Sequence, residues 1–289
     1  MSDESQRLVD KAQAWWNTQI IDVHPGSIGI RGYPIQDLIG KITFPQMIWL
    51  MIRGDLPTPA QAALLEAALV ASVDHGPHAP SIAIARMAMT CGADLNNAMA
   101  SSINVLDDIH GGAGQQCMEL YDLVDRAAVD LEGLPAVTDR ALESFIADHG
   151  KIVPGFGHRF HPIDPRVEPL LALVAQAVAD GIVSGRFARI GREVEAAIKR
   201  RTGKPIPMNI DGVTAVIFSE LGFATAMGRG LFILSRSVGI LAHAWEEKQR
   251  NVRIKGPMPK EIPYTYSGPT TRALDESLAG ASPHKRGNP

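Results

Sequence analysis

Apolar residues three and four positions apart, cut by glycine and proline, run through most of the 289-residue chain and predict a helical protein. A short helix is expected over 34–40, after a Gly-Tyr turn. Residues 44–53 are mostly apolar, and Gly54-Asp-Leu-Pro57 closes them in a turn. Thr58-Pro59 reads as an N-cap followed by a first-turn proline, opening an Ala/Leu helix to about Ser72. Residues 79–91 and 95–106 are again rich in Ala, Met and Ile, and lead to Ile109-His-Gly-Gly-Ala113. Amphipathic stretches follow at 118–128, 139–150, 165–180 and 187–201. Asn209-Ile-Asp-Gly212 enters an apolar helix reaching Leu221, and 230–247 is the most apolar helix predicted. Two-residue alternation nowhere exceeds four or five residues, so the expected class is all-α. From Ser267 the chain is rich in Gly, Pro, Ser and Thr and reads as a loose tail.

Composition narrows the picture by exclusion. The length allows a sizeable core in one large or two smaller domains. A net charge of -3 with 20% charged residues offers no basic field for nucleic acid. Arg53, Arg236 and prolines interrupt the apolar runs, so no membrane span is expected. The start, Met-Ser-Asp-Glu-Ser, is acidic and precedes no long apolar run, which argues against a targeting segment and for the cytosol. Cys91 and Cys117 stand in apolar contexts without metal-knuckle spacing and are expected to be core thiols.

Chemistry concentrates in Lys151-Ile-Val-Pro-Gly-Phe-Gly-His-Arg-Phe-His-Pro-Ile-Asp-Pro-Arg166. The glycines around Phe156 let backbone come close to a ligand. His158 can exchange a proton near neutral pH, and Arg166 can hold a carboxylate by a two-pronged bond. Three further places carry polar groups: Asp74-His-Gly-Pro-His-Ala-Pro-Ser81, Ile-His110-Gly-Gly and Asn209-Ile-Asp211-Gly. Singly, each has a plainer reading: His75 ends a helix and could cap it, His110 could sit in an ordinary loop, and Asp211 could be an N-cap. Arg236 on an apolar helix needs a partner or a bound anion, since a buried unpaired arginine costs several kcal/mol. Together the groups read as acid/base chemistry on an anionic substrate, with no bound cofactor or metal site; neither a nucleotide loop nor a serine elbow is present.

These residues resemble a family. Gly29-Ile-Arg-Gly-Tyr-Pro-Ile-Gln-Asp-Leu38 and Gly54-Asp-Leu-Pro-Thr58 are similar to the N-terminal signature of citrate synthases. Ile-His-Gly-Gly, Pro-Gly-Phe-Gly-His-Arg, Asp-Pro-Arg and Asn-Ile-Asp-Gly follow in that family's order. Within the superfamily, Asp74-His-Gly-Pro, Asn209-Ile-Asp-Gly-Val, Gly230-Leu-Phe-Ile-Leu-Ser-Arg-Ser-Val-Gly239 and Ala242-His-Ala-Trp-Glu-Glu-Lys-Gln249 look like the citryl-CoA lyase type, including the C-terminal lyase module of ATP-citrate lyase.

The resemblance implies a large helical domain (1–113 and 227–289, ending in the tail), a small helical domain (114–226), and a homodimer able to form larger assemblies. It implies cleavage of citryl-CoA to acetyl-CoA and oxaloacetate, the CoA thioester being substrate and no cofactor or metal being bound. The alternatives are citrate or 2-methylcitrate synthase, which add thioester hydrolysis, and a non-catalytic CoA-binding paralogue. His110, His158 and Asp211 carry over as catalytic residues. His75, Arg166 and Arg236 carry over as ligands of the 2-oxoacid carboxylates, and Pro154, Gly155, Phe156, Gly157 and Arg159 as CoA contacts. Two departures stand out. The stretch between His158 and Asp164-Pro-Arg166 is one residue short of the synthase spacing, with His161 near a position where a basic residue contacts CoA. The arginine that the family's partner subunit donates aligns with Gly256, flanked by Lys255 and preceded by Arg253.

Overall fold

The computed structural model describes residues 2–128, 133–158, 161–254, 259 and 261–273. Among these the chain runs α1 (Asp3–Trp15), β1 (Ile21–His24), β2 (Ser27–Ile30), β3 (Tyr33–Pro34), α2 (Ile35–Leu38), α3 (Phe44–Arg53) and α4 (Pro59–Ala71). It continues with α5 (Pro80–Thr90), α6 (Leu95–Ile103), α7 (Ala113–Ala127), α8 (Leu134–His149), α9 (Val167–Ala179), α10 (Arg186–Thr202), α11 (Ile210–Glu220) and α12 (Met227–Arg250). The class is all-α, with one antiparallel sheet of order β1-β2-β3 and Ile21 opposite Ile30. Two compact units divide the chain, Met1–Lys255 and Gly256–Pro289. Every named element belongs to the first; in the second, 261–273 contains neither helix nor strand. Of the expected tail, 274–289 lies outside the described residues.

Local chemistry accounts for the boundaries. Thr43 and Thr58 each close a capping box with the glutamine three residues on, and Pro45 and Pro59 sit in the first turns of α3 and α4. Gly54, at φ +90°, stops α3 in a left-handed turn. Arg53 ends α3 by donating to the carbonyls of Leu221 and Gly222 at 2.7 and 3.0 Å, while its guanidinium lies over Trp49. A residue that only broke an apolar run in the sequence thus ties α3 to the end of α11.

Three results differ from the sequence expectations. The helix α1 and the sheet were not expected; α1 is capped by Ser2 and buries no residue, so it gives no core periodicity to read. Both α7 and α8 begin five residues early: the first turn of α7 is Ala-Gly-Gln-Gln, without an apolar stripe, and that of α8 takes Pro135 at its start. Cys91 is exposed, whereas Cys117 is buried as expected. Cys91 caps the end of α5, where the chain turns at the surface.

The main core joins α3, α4 and α7 to α11 around residues such as Leu65, Met118, Tyr121, Ile190 and Ile217. A second cluster lies between α5, α6 and α12, centred on Ile82 and Ile240. Each fully buried large aliphatic contributes about 1.5–3 kcal/mol relative to exposure. Helix α12 packs on α4, α5, α6 and α7 and so touches both clusters. That position lets one helix hold several of the loops described next.

Candidate active site

The 154–158 turn and the 206–212 segment are some fifty residues apart in sequence but stitched together backbone to backbone. Gly157 donates to the Pro207 carbonyl at 2.7 Å and Asn209 to the Gly155 carbonyl at 2.9 Å. The Asn209 side-chain amide closes the arrangement on the Gly157 carbonyl at 2.6 Å. Gly155 must be glycine: its φ is +84°, and a Cβ would lie 2.9 Å from Gly212 Cα while colliding with Cys117 Sγ. The close approach these glycines permit is therefore first of all protein against protein.

Asn209 is the N-cap of α11, its Oδ1 accepting from the amides of Asp211 and Gly212 at 2.9 and 3.2 Å. Asp211 is thus inside the first turn, and capping does not explain it. The residue as a whole is half-buried, but its carboxyl is enclosed by protein, and burial pushes its pKa up, against the pull of Arg236 and Arg166. An acid held above the usual carboxylate range is suited to carrying a proton.

Asp164, buried at 2% exposure, is the hub that the sequence reading treated only as part of a motif. Its two oxygens take Arg166 Nε and Nη2 at 2.9 and 2.8 Å, and Oδ2 also receives the Ile210 amide at 3.0 Å. Although burial opposes ionisation, the Arg166 hydrogen bonds bring its pKa down to about 2. One carboxylate thereby aligns Arg166 with the start of the Asp211 helix. Arg166 retains the rest of its fork, with Nη1 on the Ala71 carbonyl at 3.4 Å.

A cleft of about 790 Å3 is lined by residues 75–80, which include His75 and His78, and by His110, His161 and Arg236. The His158 ring stands 5.1 Å from that of His75 and 4.6 Å from that of His161. Arg236, 6% exposed, donates Nε to the Ser72 carbonyl at 3.2 Å and lies 4.8 Å over the Phe232 ring. Its Nη groups make no hydrogen bond among the described residues, which leaves them for an anion in the cleft. Burial lowers the pKa of His75, and Arg166, His158 and Arg236 lower it further. The cleft is cationic and hydrogen-bond-donating, as a carboxylate site requires.

The two other imidazoles are held in defined tautomers. His110 Nε2 receives the Ser81 amide at 3.2 Å and lies 3.0 Å from the Ser81 hydroxyl. Nε2 is an acceptor, so the neutral ring carries its proton on Nδ1. Burial, then Arg236, holds the His110 pKa down, and the start of α5 adds a positive dipole at the same nitrogen. His110 is thus a neutral donor through Nδ1. Ser81 was missed in the sequence; the available signal was a helix start whose cap position, Ala79, has no side-chain acceptor. His158 Nδ1 accepts the His161 amide at 3.0 Å, which places the His158 proton on Nε2. Burial depresses its pKa, partly offset by Asp164.

Of the sequence-derived residues, the structure brings His75, His110, His158, Arg166, Asp211 and Arg236 into one electrostatic neighbourhood. Arg159, Lys255 and Gly256 lie outside the described residues. Beside Phe156 a separate pocket of about 430 Å3 has apolar walls from Ile152, Val153 and Ile206, with Lys151 and Arg201 among its lining. Among the described residues no group of three or more His, Cys, Asp or Glu forms a metal site, and no helix is long and apolar enough to cross a membrane.

The sequence profile described as "Citrate synthase, C-terminal domain" matches residues 11–68 and 58–257. A citrate synthase of Deinococcus radiodurans is 30% identical over 207 residues, covering 70% of this chain and 51% of that protein. The chain spans about half the length of the curated relatives it matches. Citryl-CoA lyase from Hydrogenobacter thermophilus is similar in structure, with TM-score 0.79 and 30% identity over 91% of this chain and 99% of that one. ATP citrate lyase from Methanothrix soehngenii shares the fold, with TM-score 0.74 and 21% identity over 93% of this chain and 45% of that one.

Proposed function

The chain belongs to the citrate synthase family, and from that premise we propose that it is a citryl-CoA lyase. The observation that carries the lyase reading is the likeness to the Hydrogenobacter enzyme across nearly the full length of both chains.

In the cleavage, the tertiary hydroxyl of citryl-CoA loses its proton to His158. The oxygen electron pair becomes the oxaloacetate carbonyl, and the carbon–carbon bonding pair passes to the thioester as an enolate. Asp211 protonates the enolate carbon to give acetyl-CoA, a transfer that its raised pKa favours. His110 Nδ1–H donates to the thioester oxygen as charge develops there, worth roughly 3–4 kcal/mol in comparable oxyanion sites. His75, Arg166 and Arg236 hold the carboxylates of the oxaloacetate part.

The CoA moiety runs along the Pro154–Gly157 turn, with Arg159. The Gly155 carbonyl and both backbone polar groups of Gly157 are engaged within the protein, so the turn offers CoA its remaining backbone edge. The pocket beside Phe156, with Lys151 and Arg201, suits a flat ring and a phosphate. The large domain comprises 1–113 and 227–289, and the small domain 114–226. The active form is a cytosolic homodimer, for which the exposed stripe Leu234, Val238, Leu241 and Trp245 on α12 offers an apolar face with heptad-like spacing.

One observation favours the second reading, a citrate or 2-methylcitrate synthase. The His158 tautomer keeps a donor, Nε2–H, which fits polarising an oxoacid carbonyl in the condensation direction. Cleavage needs the proton moved to Nδ1 and the His161 amide bond given up. A CoA-binding protein without catalysis is disfavoured by the chain retaining all of His110, His158 and Asp211. Incubation with acetyl-CoA and a panel of 2-oxoacids, and separately with citryl-CoA, followed by mass spectrometry, tests the reading. Citryl-CoA cleavage with the acetyl thioester intact supports the lyase, and no turnover with either substrate set rejects both enzymes.

A further inference from the structure

The stretch Ala242-His-Ala-Trp-Glu-Glu-Lys-Gln249 takes no part in the chemistry above, yet it lies against the loop that carries His75. Helix α12 grips the end of α4 and that loop at successive points. Ser235 Oγ donates to the Leu69 carbonyl and Arg236 Nε to the Ser72 carbonyl. Gly239 lies so close that a Cβ would overlap the Val73 carbonyl oxygen. One turn further on, His243 Nε2 stands 3.4 Å from Asp74 Oδ1, next to His75 in sequence. The other Asp74 oxygen accepts the Gly76 amide at 3.0 Å, on the far side of His75.

Asp74 Oδ1 is shut off from solvent and makes no regular hydrogen bond among the described residues, so the His243 ring is its near polar neighbour. The tautomer of that ring is set from behind. His243 Nδ1 lies 3.4 Å from Arg86 Nη1, and an arginine can only donate, so Nδ1 accepts and Nε2 carries the proton toward Asp74. Arg86 is itself held by Glu246 at 3.0 Å and by Glu247, whose side chain is fully buried, at 2.5 Å. The line Glu247–Arg86–His243–Asp74 ends at the cleft without lining it.

We propose that His243 is a positioning residue: by holding Asp74 it fixes the 74–78 loop and thereby sets where His75 meets the substrate carboxylate. This rests on the proposed role of His75, and a merely structural histidine at this place would not discriminate between substrates.

The test compares His243→Leu, His243→Gln and Asp74→Asn in the full chain. Three readouts are taken: oxaloacetate and CoA affinity by calorimetry, melting temperature, and hydrogen exchange of the Gly76 amide. The glutamine amide can still donate to Asp74; leucine cannot. The leucine variant should bind oxaloacetate roughly tenfold more weakly, the low end of what one charge-assisted polar contact supplies, with CoA affinity unchanged and Gly76 exchanging faster. Glutamine should restore most of both, and Asp74→Asn should reproduce the leucine result, which also decides the matter if the leucine variant does not fold. Wild-type oxaloacetate affinity and wild-type Gly76 exchange in the leucine variant overturn the proposal. So does a parallel loss of both affinities that follows the melting temperature and is not restored by glutamine. If the unaltered protein binds no oxaloacetate, the proposed function fails, while Gly76 exchange still decides whether His243 holds the loop.

Discussion

Replacing Asp211 by asparagine removes the proposed proton carrier and changes little else. The start of α11 is kept, because Asn209 is the cap and accepts both first-turn amides. The charge lost from that first turn is worth about 0.3–1 kcal/mol. An opposing effect comes from burial, which raises the folded pKa of Asp211. For such a group the stabilising contribution is full below the unfolded pKa and is lost as pH rises through the folded value. Asparagine has no charge to bury and escapes that loss at neutral pH. The variant should therefore melt within about 4 °C of the wild type, or above it. Turnover is a different matter: general acid catalysis contributes 10² to 10⁴, so the rate should fall at least about 100-fold, or roughly 2.7 kcal/mol of barrier. Melting curves at pH 7 beside citryl-CoA turnover and methyl-proton exchange of acetyl-CoA in heavy water provide the check. A folded variant with turnover within tenfold of wild type refutes the proton-transfer role. A large drop in melting temperature would instead make Asp211 a structural residue.

Gly155→Ala should destabilise by about 2–4 kcal/mol, combining left-handed strain with overpacking against Cys117 and Gly212; denaturant unfolding measures it, and a change below 1 kcal/mol contradicts the close approach. Asp164 has its pKa lowered to about 2, so its stabilisation is present above the ordinary carboxylate pKa near 4 and is lost as pH falls toward about 2. Asp164→Asn should cost about 3 kcal/mol at neutral pH and flatten the acid limb of stability in that window; an unchanged acid limb removes Asp164 as the hub. His110→Ala should slow deuterium exchange at the acetyl-CoA methyl group while sparing oxaloacetate affinity, and exchange at the wild-type rate would sink the enol-stabilising role.

The sequence showed most clearly those features with a local cause. Helix α3 was placed to the residue, and α4 and α5 nearly so, because threonine caps, first-turn prolines and terminal glycines act within a few positions. Helix α1 was not legible, since it buries nothing and so has no stripe facing a core. Motif order identified the family before any geometry was known, and the family match over 11–68 and 58–257 supports it. What motif order could not supply were the long-range partners: the Ser81 amide on His110, the Asp164 carboxylate bridging Arg166 to Ile210, and the Arg53 tie to Leu221. Such bonds join residues tens of positions apart and leave no periodicity in the chain. The glycines of the 154–158 turn were read as making room for a ligand. They make room for Cys117, Gly212 and Ile206, a demand set by packing that only the tertiary structure displays.

The most direct test of the central claim is the release of free CoA from acetyl-CoA and oxaloacetate by the unmodified protein, followed with a thiol reagent beside cleavage of citryl-CoA. The lyase account predicts fast citryl-CoA cleavage to acetyl-CoA and oxaloacetate, with the thioester preserved and thiol release slow. Rapid release of one CoA for each oxaloacetate consumed, with free citrate accumulating, would contradict it and make this chain a compact citrate synthase.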